Sequence, residues 1–484
     1  MLIEIILFWR ADDIFNIPFR KALLLFSSIL VILTFLFFIA QARYYKYMWF
    51  IGCESKPIPQ AFWNTLNGGG FLYYSGGEGV SLLLIHLVPL ILIALPFYAI
   101  YPDVHTLIFI QSVFFCFAAL PLFLIAVKRL NGIAAMVISF SFLLHPFIVG
   151  PAFTAPFKET VFIAFFMFFT FYFFENKRFY PYLLFLVLSM MARETVPLTC
   201  FMFTIYAILK KRPVKWVVST AVLTVSYFML FLFIQQCFDN VAFTTFTVRE
   251  AYFDSAASGS VVTSVISRIL NPGALMRVVV DVKNAKYIFR LLSPCGLILP
   301  LLSFEIIFVI PQLLVVLLSS NRAFLMPFWH HSVEASIFIW LSCVFGISKI
   351  SNNEKIIKLL GIGKEKLSLV MVVFLVLMAL STYHTWYVKN EKMDSSYYNA
   401  IDEAVSLIPQ DAAVSGSSHI LPRLHKRRNI LYLYEFAKAD YIIIDRRRKA
   451  GDVGDIGALG EGTAKKYKTV FEKEGITVYA KERN

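Results

Sequence analysis

The sequence predicts an all-α polytopic membrane protein, with about 11 transmembrane helices, followed by a small soluble α/β domain. Three observations predict it. The 484 residues are 58% hydrophobic and only 16% charged, whereas soluble chains stay near half apolar and a quarter charged. Uncharged runs of roughly 20 residues, enough to cross about 30 Å of hydrocarbon as helix, recur as far as residue 383. Beyond that point charge becomes frequent and short β-type segments replace the long runs. The 50 phenylalanines and a mean hydropathy of +0.70 suit helical spans and exclude a barrel of alternating strands.

The apolar runs lie at 22–41, 81–101, 105–127, 132–151, 159–175, 181–209, 214–237, 286–319, 333–348 and 367–383. Basic linkers at Arg20 and Lys21, Lys128 and Arg129, Lys177 and Arg178, 210–215 and 349–366 are short enough for the positive-inside rule, which assigns them to the cytoplasm. Three apolar runs separate Lys21 from Lys128, and an odd number cannot return the chain to the same side. The run 81–101, which holds His86, Pro89 and Pro96, is therefore expected to lie at the outer surface as a juxtamembrane helix. The same parity makes 181–209 a hairpin with Arg193 and Glu194 at its turn. Arms of about 13 to 15 residues reach only roughly 20 Å, so the turn is expected below the outer surface, in a wet cavity. Exposing an Arg-Glu pair to lipid would be costly. The run 286–319 is expected to split near 300–305. The amino terminus falls inside, the first helix serving as an uncleaved signal, and the carboxyl terminus outside.

Residues 1–383 thus form a transmembrane domain and 384–484 an extracytoplasmic one, long enough for its own core. Segments 413–415, 430–433 and 441–445 read as strands and 398–407 as a helix. The formal charge of +14 reports membrane topology rather than nucleic-acid binding. The six cysteines show no metal-ligand spacing. No P-loop, dinucleotide fingerprint or nucleophile elbow is present, which leaves ATP-driven and serine-hydrolase chemistry without support. The adjacent pair His330-His331 lacks the i, i+4 spacing of a zinc site and reads better as cavity lining. The basic stretches 426–428 and 446–449 suit either a solvated face or contact with anionic headgroups or glycan.

A series of short motifs then carries a resemblance. Gln60-Ala-Phe-Trp63-Asn64-Thr65 precedes three glycines, followed by His86-Leu-Val-Pro89, Pro96-Phe-Tyr98, the stretch from Thr106 to Gln111, and Ala119-Leu-Pro121. His145-Pro146, Phe157-Lys158-Glu159, Ala192-Arg193-Glu194, Leu421-Pro422-Arg423 and Ala439-Asp440-Tyr441 continue the order to the tail. In that order they resemble the predicted membrane protein family called domain of unknown function 2079, within the GT-C superfamily of membrane glycosyltransferases. Two departures are visible: in the stretch before Gln60, where the family carries aspartates, Glu54 is the one carboxylate, and Lys158 stands where a histidine is usual.

The resemblance implies a GT-C-like membrane domain with juxtamembrane helices in the first outer loop, and transfer of a sugar from a polyprenyl-phosphate donor to an extracytoplasmic glycan, lipid or protein. A carboxylate within reach deprotonates the acceptor hydroxyl, and cations stabilise the charge growing on the departing phosphate. Glu54 is the implied base, with Glu159 assisting. Arg193, by a bidentate fork, and Lys158, as a point charge, are implied phosphate ligands. Gln60, Asn64, His86, Glu194, His330 and His331 are expected to line the substrate cavity. No metal is required, although Glu54 and Glu159 leave room for Mg or Mn. Plainer readings stand beside these: a solvated loop acid for Glu54, a headgroup-level cation for Lys158, and a structural ion pair of Arg193 with Glu159 or Glu194. Two other functions also stay open, a lipid or glycolipid transporter and a catalytically inactive GT-C-like protein acting in binding or assembly.

Overall fold

The computed structural model describes residues 18–50, 57–75, 79–237, 271–273, 276, 280–319, 321–361, 363–387, 394–447 and 466–482. Helix α1 (Phe19–Lys46) follows Pro18 and ends on Arg43 and Lys46, cations that complement its carboxyl-terminal dipole. Helix α2 (Pro57–Leu66) opens on prolines, whose fixed φ suits a first turn. A small hairpin, β1 (Tyr73–Tyr74) with β2 (Val80–Ser81), follows.

The stretch 81–101 does not form the single juxtamembrane helix that its apolarity suggests. It breaks into α3 (Leu82–Ile85), a 3₁₀ turn Pro89–Ile93 and α4 (Leu95–Ile100). Pro89 and Pro96 each begin a new turn, because proline lacks the N–H that would continue the preceding one. None of these pieces is long enough to cross a bilayer.

Helices α5 (Val104–Phe117) and α6 (Ala119–Ala126) run on as one apolar segment. Helix α7 (Gly132–Leu143) is followed by α8 (Pro146–Ala152) at a bend of 51° where Pro146 interrupts the hydrogen-bond ladder. Then come α9 (Val161–Glu175), α10 (Phe179–Met190), α11 (Val196–Leu209) and α12 (Val214–Cys237). Between α13 (Val282–Leu292) and α14 (Ile310–Leu318) the expected hinge at 300–305 is a longer series of 3₁₀ turns over 293–309. Helices α15 (Val333–Ser351), α16 (Glu354–Leu360) and α17 (Lys364–Tyr387) complete the helical part.

The chain is a multi-pass membrane protein, but eleven full spans are not found among the described residues. Four helices are long and apolar enough to cross a membrane, Phe19–Lys46, Val104–Ala126, Val214–Ile234 and His330–Ser351, or five counting the bent pair α7–α8. The other apolar helices have 10–17 residues. The difference arises where prolines and tight turns convert full-length runs into half-length arms.

The basic linkers gather at one end of the bundle. Arg129 Nη2 pairs with Glu175 Oε2 at 2.8 Å and lies over the Phe345 ring. Arg212 Nη2 donates to the Phe174 carbonyl at 2.8 Å, and Lys349 Nζ to that of Leu302 at 3.3 Å. Lys210 Nζ is 3.8 Å from Glu305 Oε1, which also accepts from the Tyr206 hydroxyl at 2.7 Å. The middle is aromatic: Phe308 stacks on Phe338 at 4.4 Å and meets Phe203 at 4.6 Å, all fully buried. Lipid offers helices no hydrophobic gain on association, so such interdigitated rings supply the dispersion contacts instead.

The opposite end carries the carboxyl-terminal sheet. After α18 (Ser395–Ser406), capped by Asp394 accepting from the Tyr397 N–H, the strands order as β4 (Ile430–Tyr432), β3 (Val414–Gly416), β5 (Tyr441–Asp445), β7 (Ile476–Lys481) and β6 (Tyr467–Lys473). The first three are parallel, and β6–β7 is an antiparallel hairpin added beside β5. Glu474 and Gly475 turn that hairpin with positive φ at both positions. Gly416 is required by close approach, since a Cβ there would meet the Ile443 carbonyl oxygen at 2.3 Å.

This sheet is locked to the membrane part. Met48, just past α1, joins the core formed by Tyr397, Ile401, Val414, Ile443 and Val478. Ser75 Oγ accepts from the Ile430 N–H at 2.7 Å and donates to the Ile430 carbonyl at 2.9 Å, covering the edge of β4. Lys426 Nζ approaches Asp103 Oδ2 at 4.0 Å.

His425 sits buried at this junction, its Nδ1 3.1 Å from the Pro422 carbonyl. Burial pushes its pKa down from 6.5 to about 4. The unfolded chain therefore takes up the proton first, so His425 supports the fold above about pH 6.5 and that support is lost as pH falls toward 4. Thermal unfolding of the detergent-purified protein across this window should show the loss, and His425→Gln should shrink its slope.

Candidate active site

The hairpin turn 191–195 joins α10 to α11 and carries Arg193 and Glu194. Helices of 12 and 14 residues reach only about 18 and 21 Å at 1.5 Å per residue, which leaves the turn inside the bundle rather than above it. Arg193 is 4% exposed. Its Nη1 donates to Glu159 Oε1 at 2.8 Å, and its Nη2 lies 3.7 Å from Glu194 Oε1. That same Glu194 oxygen is 3.1 Å from His86 Nδ1. The broken segment 81–101 reaches the turn through backbone as well, Leu90 N–H donating to the Met191 carbonyl at 3.2 Å.

One further acid and one amide hold this arrangement. Glu334, on the first turn of α15, accepts from the Thr195 and Thr199 hydroxyls at 2.7 and 2.8 Å, tying the turn to that helix. Gln111, on α5, accepts from the Lys158 N–H at 2.7 Å and donates to the Ala152 and Ala155 carbonyls at 3.0 Å. It thereby fixes the connector between α8 and α9 that presents Lys158 and Glu159. Lys158 is buried, with its Nζ 6.0 Å from the centre of the Trp329 ring. A small cavity beside it is lined by Gln111, Phe115, Phe142, Thr160 and Val333.

Four of the expected residues, Glu159, Arg193, Glu194 and His86, are thus in direct contact. His330 and His331 lie within electrostatic reach of Arg193, Lys158 and His86, and His331 stacks on Phe324 at 3.5 Å. Gln60 and Asn64 do not join the cluster. Gln60 Nε2 donates to Ser75 Oγ at 2.6 Å and to the Arg428 carbonyl at 2.9 Å, and Asn64 Nδ2 reaches the Tyr73 and Arg428 carbonyls at 3.1 and 3.3 Å. Both face the carboxyl-terminal sheet because α2 turns its polar side toward β4. Glu54 lies outside the described residues. Among the described residues no three His, Cys, Asp or Glu side chains converge as a metal site.

The basic stretches of the sheet region are partly used internally. Arg427 donates to the Ile408 carbonyl at 2.9 Å, Arg446 to the Tyr479 hydroxyl at 2.8 Å, and Arg447 to Glu474 at 2.9 Å. Glu334 is absent from the sequence expectation, and Gln111 enters it only as the end of a motif, with no place in the site. Their signal was available: each is a lone polar group within an otherwise apolar run, the situation in which an intramembrane group most needs a partner.

Together these features define a polytopic helical membrane protein of GT-C-type fold, with one buried charge cluster at the end opposite its basic linkers. The chain belongs to the family described as "Predicted membrane protein (DUF2079)", whose model matches residues 59–478. The structure is similar to that of ArnT from Cupriavidus metallidurans bound to undecaprenyl phosphate, with a TM-score of 0.53 and 10% identity over 96% of this chain and 98% of that one. The same protein in its apo state gives 0.50 and 11% over 92% and 97%. The Archaeoglobus fulgidus oligosaccharyltransferase in complex with Zn and sulfate gives 0.47 and 12% over 88% and 69%. No curated protein matches the chain.

Removing Arg193 leaves Glu159 and Glu194 buried without compensation, a change that costs about 3–5 kcal/mol in buried ion pairs. Arg193→Met should lower the unfolding temperature of the purified protein markedly. Adding Glu159→Gln and Glu194→Gln should restore part of it, as scanning fluorimetry would report.

Proposed function

We propose that this protein is an integral membrane glycosyltransferase that moves a sugar from a polyprenyl-phosphate donor to an extracytoplasmic acceptor. The observation that carries the reading is the Arg193–Glu159–Glu194–His86 cluster, buried at one end of a GT-C-type fold. A neighbour of that fold binds undecaprenyl phosphate. Burial strengthens electrostatic contacts, so a guanidinium here stabilises a departing phosphate far more than one in water would.

In this reading the bond between the anomeric carbon and the lipid phosphate breaks as the acceptor hydroxyl attacks. Negative charge collects on the phosphate oxygens, where Arg193 supplies a fork of N–H donors and Lys158 a second cation. Glu159 holds the fork in orientation. Glu54, assigned by family resemblance, takes the acceptor proton. The reading needs no metal; Mg or Mn held by Glu54 and Glu159 is the rival arrangement. Residues 1–383 would carry the chemistry and 384–484 would recognise the acceptor.

The clustering of basic linkers at one end supports a prokaryotic cytoplasmic membrane location with the amino terminus inside and the sheet outside. A transporter would run polar groups through the bilayer. Here Glu334 and Glu305 touch α11 at opposite ends, through Thr199 and Tyr206, and the buried rings of Phe203, Phe308 and Phe338 fill the space between.

Membranes incubated with radiolabelled polyprenyl-phosphate sugars should transfer label, read by chromatography. Transfer per folded molecule should fall at least about a hundredfold in Glu54→Gln, as loss of a general base implies, and similarly in Arg193→Ala. EDTA should leave wild-type transfer intact. Equal transfer by all three proteins would remove the site assignment.

A further inference from the structure

His330 opens the 3₁₀ turn His330–Ser332 that leads into α15. Both of its ring nitrogens are buried, and neither has a hydrogen-bond partner among the described residues. Four other histidines, the more exposed His86 among them, each have a partner on one ring nitrogen. His145 Nε2 is 3.1 Å from the Leu291 carbonyl, and His419 Nε2 is 2.8 Å from Asp445. His425 Nδ1 meets the Pro422 carbonyl and His86 Nδ1 meets Glu194. A buried polar group left unmet is costly, so such a group calls for a specific explanation.

The surroundings of His330 supply one. Its electrostatic neighbours are Arg193, Lys158, His331 and His86, a set dominated by cations and potential cations. The preceding residue, Trp329, is the ring over which the Lys158 amine lies. The imidazole therefore lies within electrostatic reach of the two side chains assigned to the donor phosphate.

We infer that His330 is a third ligand of that phosphate, its imidazole N–H donating to a phosphate oxygen beside Arg193 and Lys158. The assignment rests on the glycosyltransferase reading. The departing polyprenyl phosphate is a monoester with three peripheral oxygens, one of them the oxygen released from the anomeric carbon, and a guanidinium fork, an ammonium and an imidazole N–H are three chemically distinct donors for them. The ligand class is a polyprenyl monophosphate. The imidazole adds direction, which an ammonium does not, and it completes a group that the fold alone leaves unsatisfied.

The test is binding of undecaprenyl phosphate to the full chain in nanodiscs, measured by native mass spectrometry with undecaprenol as the uncharged control. His330→Phe keeps an aromatic ring without a donor, whereas His330→Gln keeps a side-chain N–H. His330→Phe is expected to weaken undecaprenyl phosphate binding about tenfold, equivalent to about 1.4 kcal/mol. His330→Gln should stay within about threefold of wild type, or about 0.7 kcal/mol, and undecaprenol binding should not respond to either variant. Unchanged binding in His330→Phe, or equal loss in both variants, would overturn the role of His330 while leaving the reading of the site intact. A wild-type protein that binds the phosphate no better than undecaprenol would overturn that reading as well.

Discussion

The arrangement depends on a guanidinium held away from water. Arg193 is tolerable inside the bundle because Glu159 meets it directly and Glu194 lies beside it, with His86 sharing the second carboxylate. Each partner arrives on a different part of the chain: the α8–α9 connector, the hairpin turn, and the broken segment after β2. Glu334 then ties the turn to α15 through two threonine hydroxyls. The charge cluster is therefore a structural joint. An ion pair in this position contributes less to stability than its charges suggest, since desolvation offsets much of the attraction. What it does provide is a fixed direction for the donors.

Placement of that joint follows from helix length. Neither arm of the α10–α11 hairpin can reach the far side of a bilayer, so the turn stays recessed and its charges are shielded by protein. The opposite end has its own polar group, Glu305 with Tyr206 and Lys210, and the aromatic layer between keeps the two apart. The fold thus sets the Arg193 cluster and the basic linkers at opposite ends.

Much of this was legible in the sequence, for identifiable reasons. Basic clusters impose parity, and parity alone required 181–209 to turn back at Arg193 and Glu194 and kept 81–101 from crossing. The internal breaks were less legible: the turns at Pro89 and Pro96, the bend at Pro146 and the 3₁₀ series along 293–309 follow from missing N–H groups and tight turns, which hydropathy does not register. The β6–β7 hairpin went unseen because most of β6 is exposed and its charged side chains mask the alternation. Gln60 and Asn64 read as cavity residues from their motif, yet their amides bond the backbone of 427–428. Long-range carbonyl partners of that kind leave no trace in spacing. Glu334 was passed over as part of an apolar run, although a lone acid there needs a partner somewhere.

Met48 has one more implication. It is made early, at the tip of the first helix, yet its side chain completes a core otherwise built from residues 397–478. The beginning and end of the chain are thus stitched together across every intervening helix. The stitch closes only after the last helix has been inserted, so the lid-like sheet seals a finished bundle, and a protein interrupted anywhere before its final strands would leave that methionine uncovered.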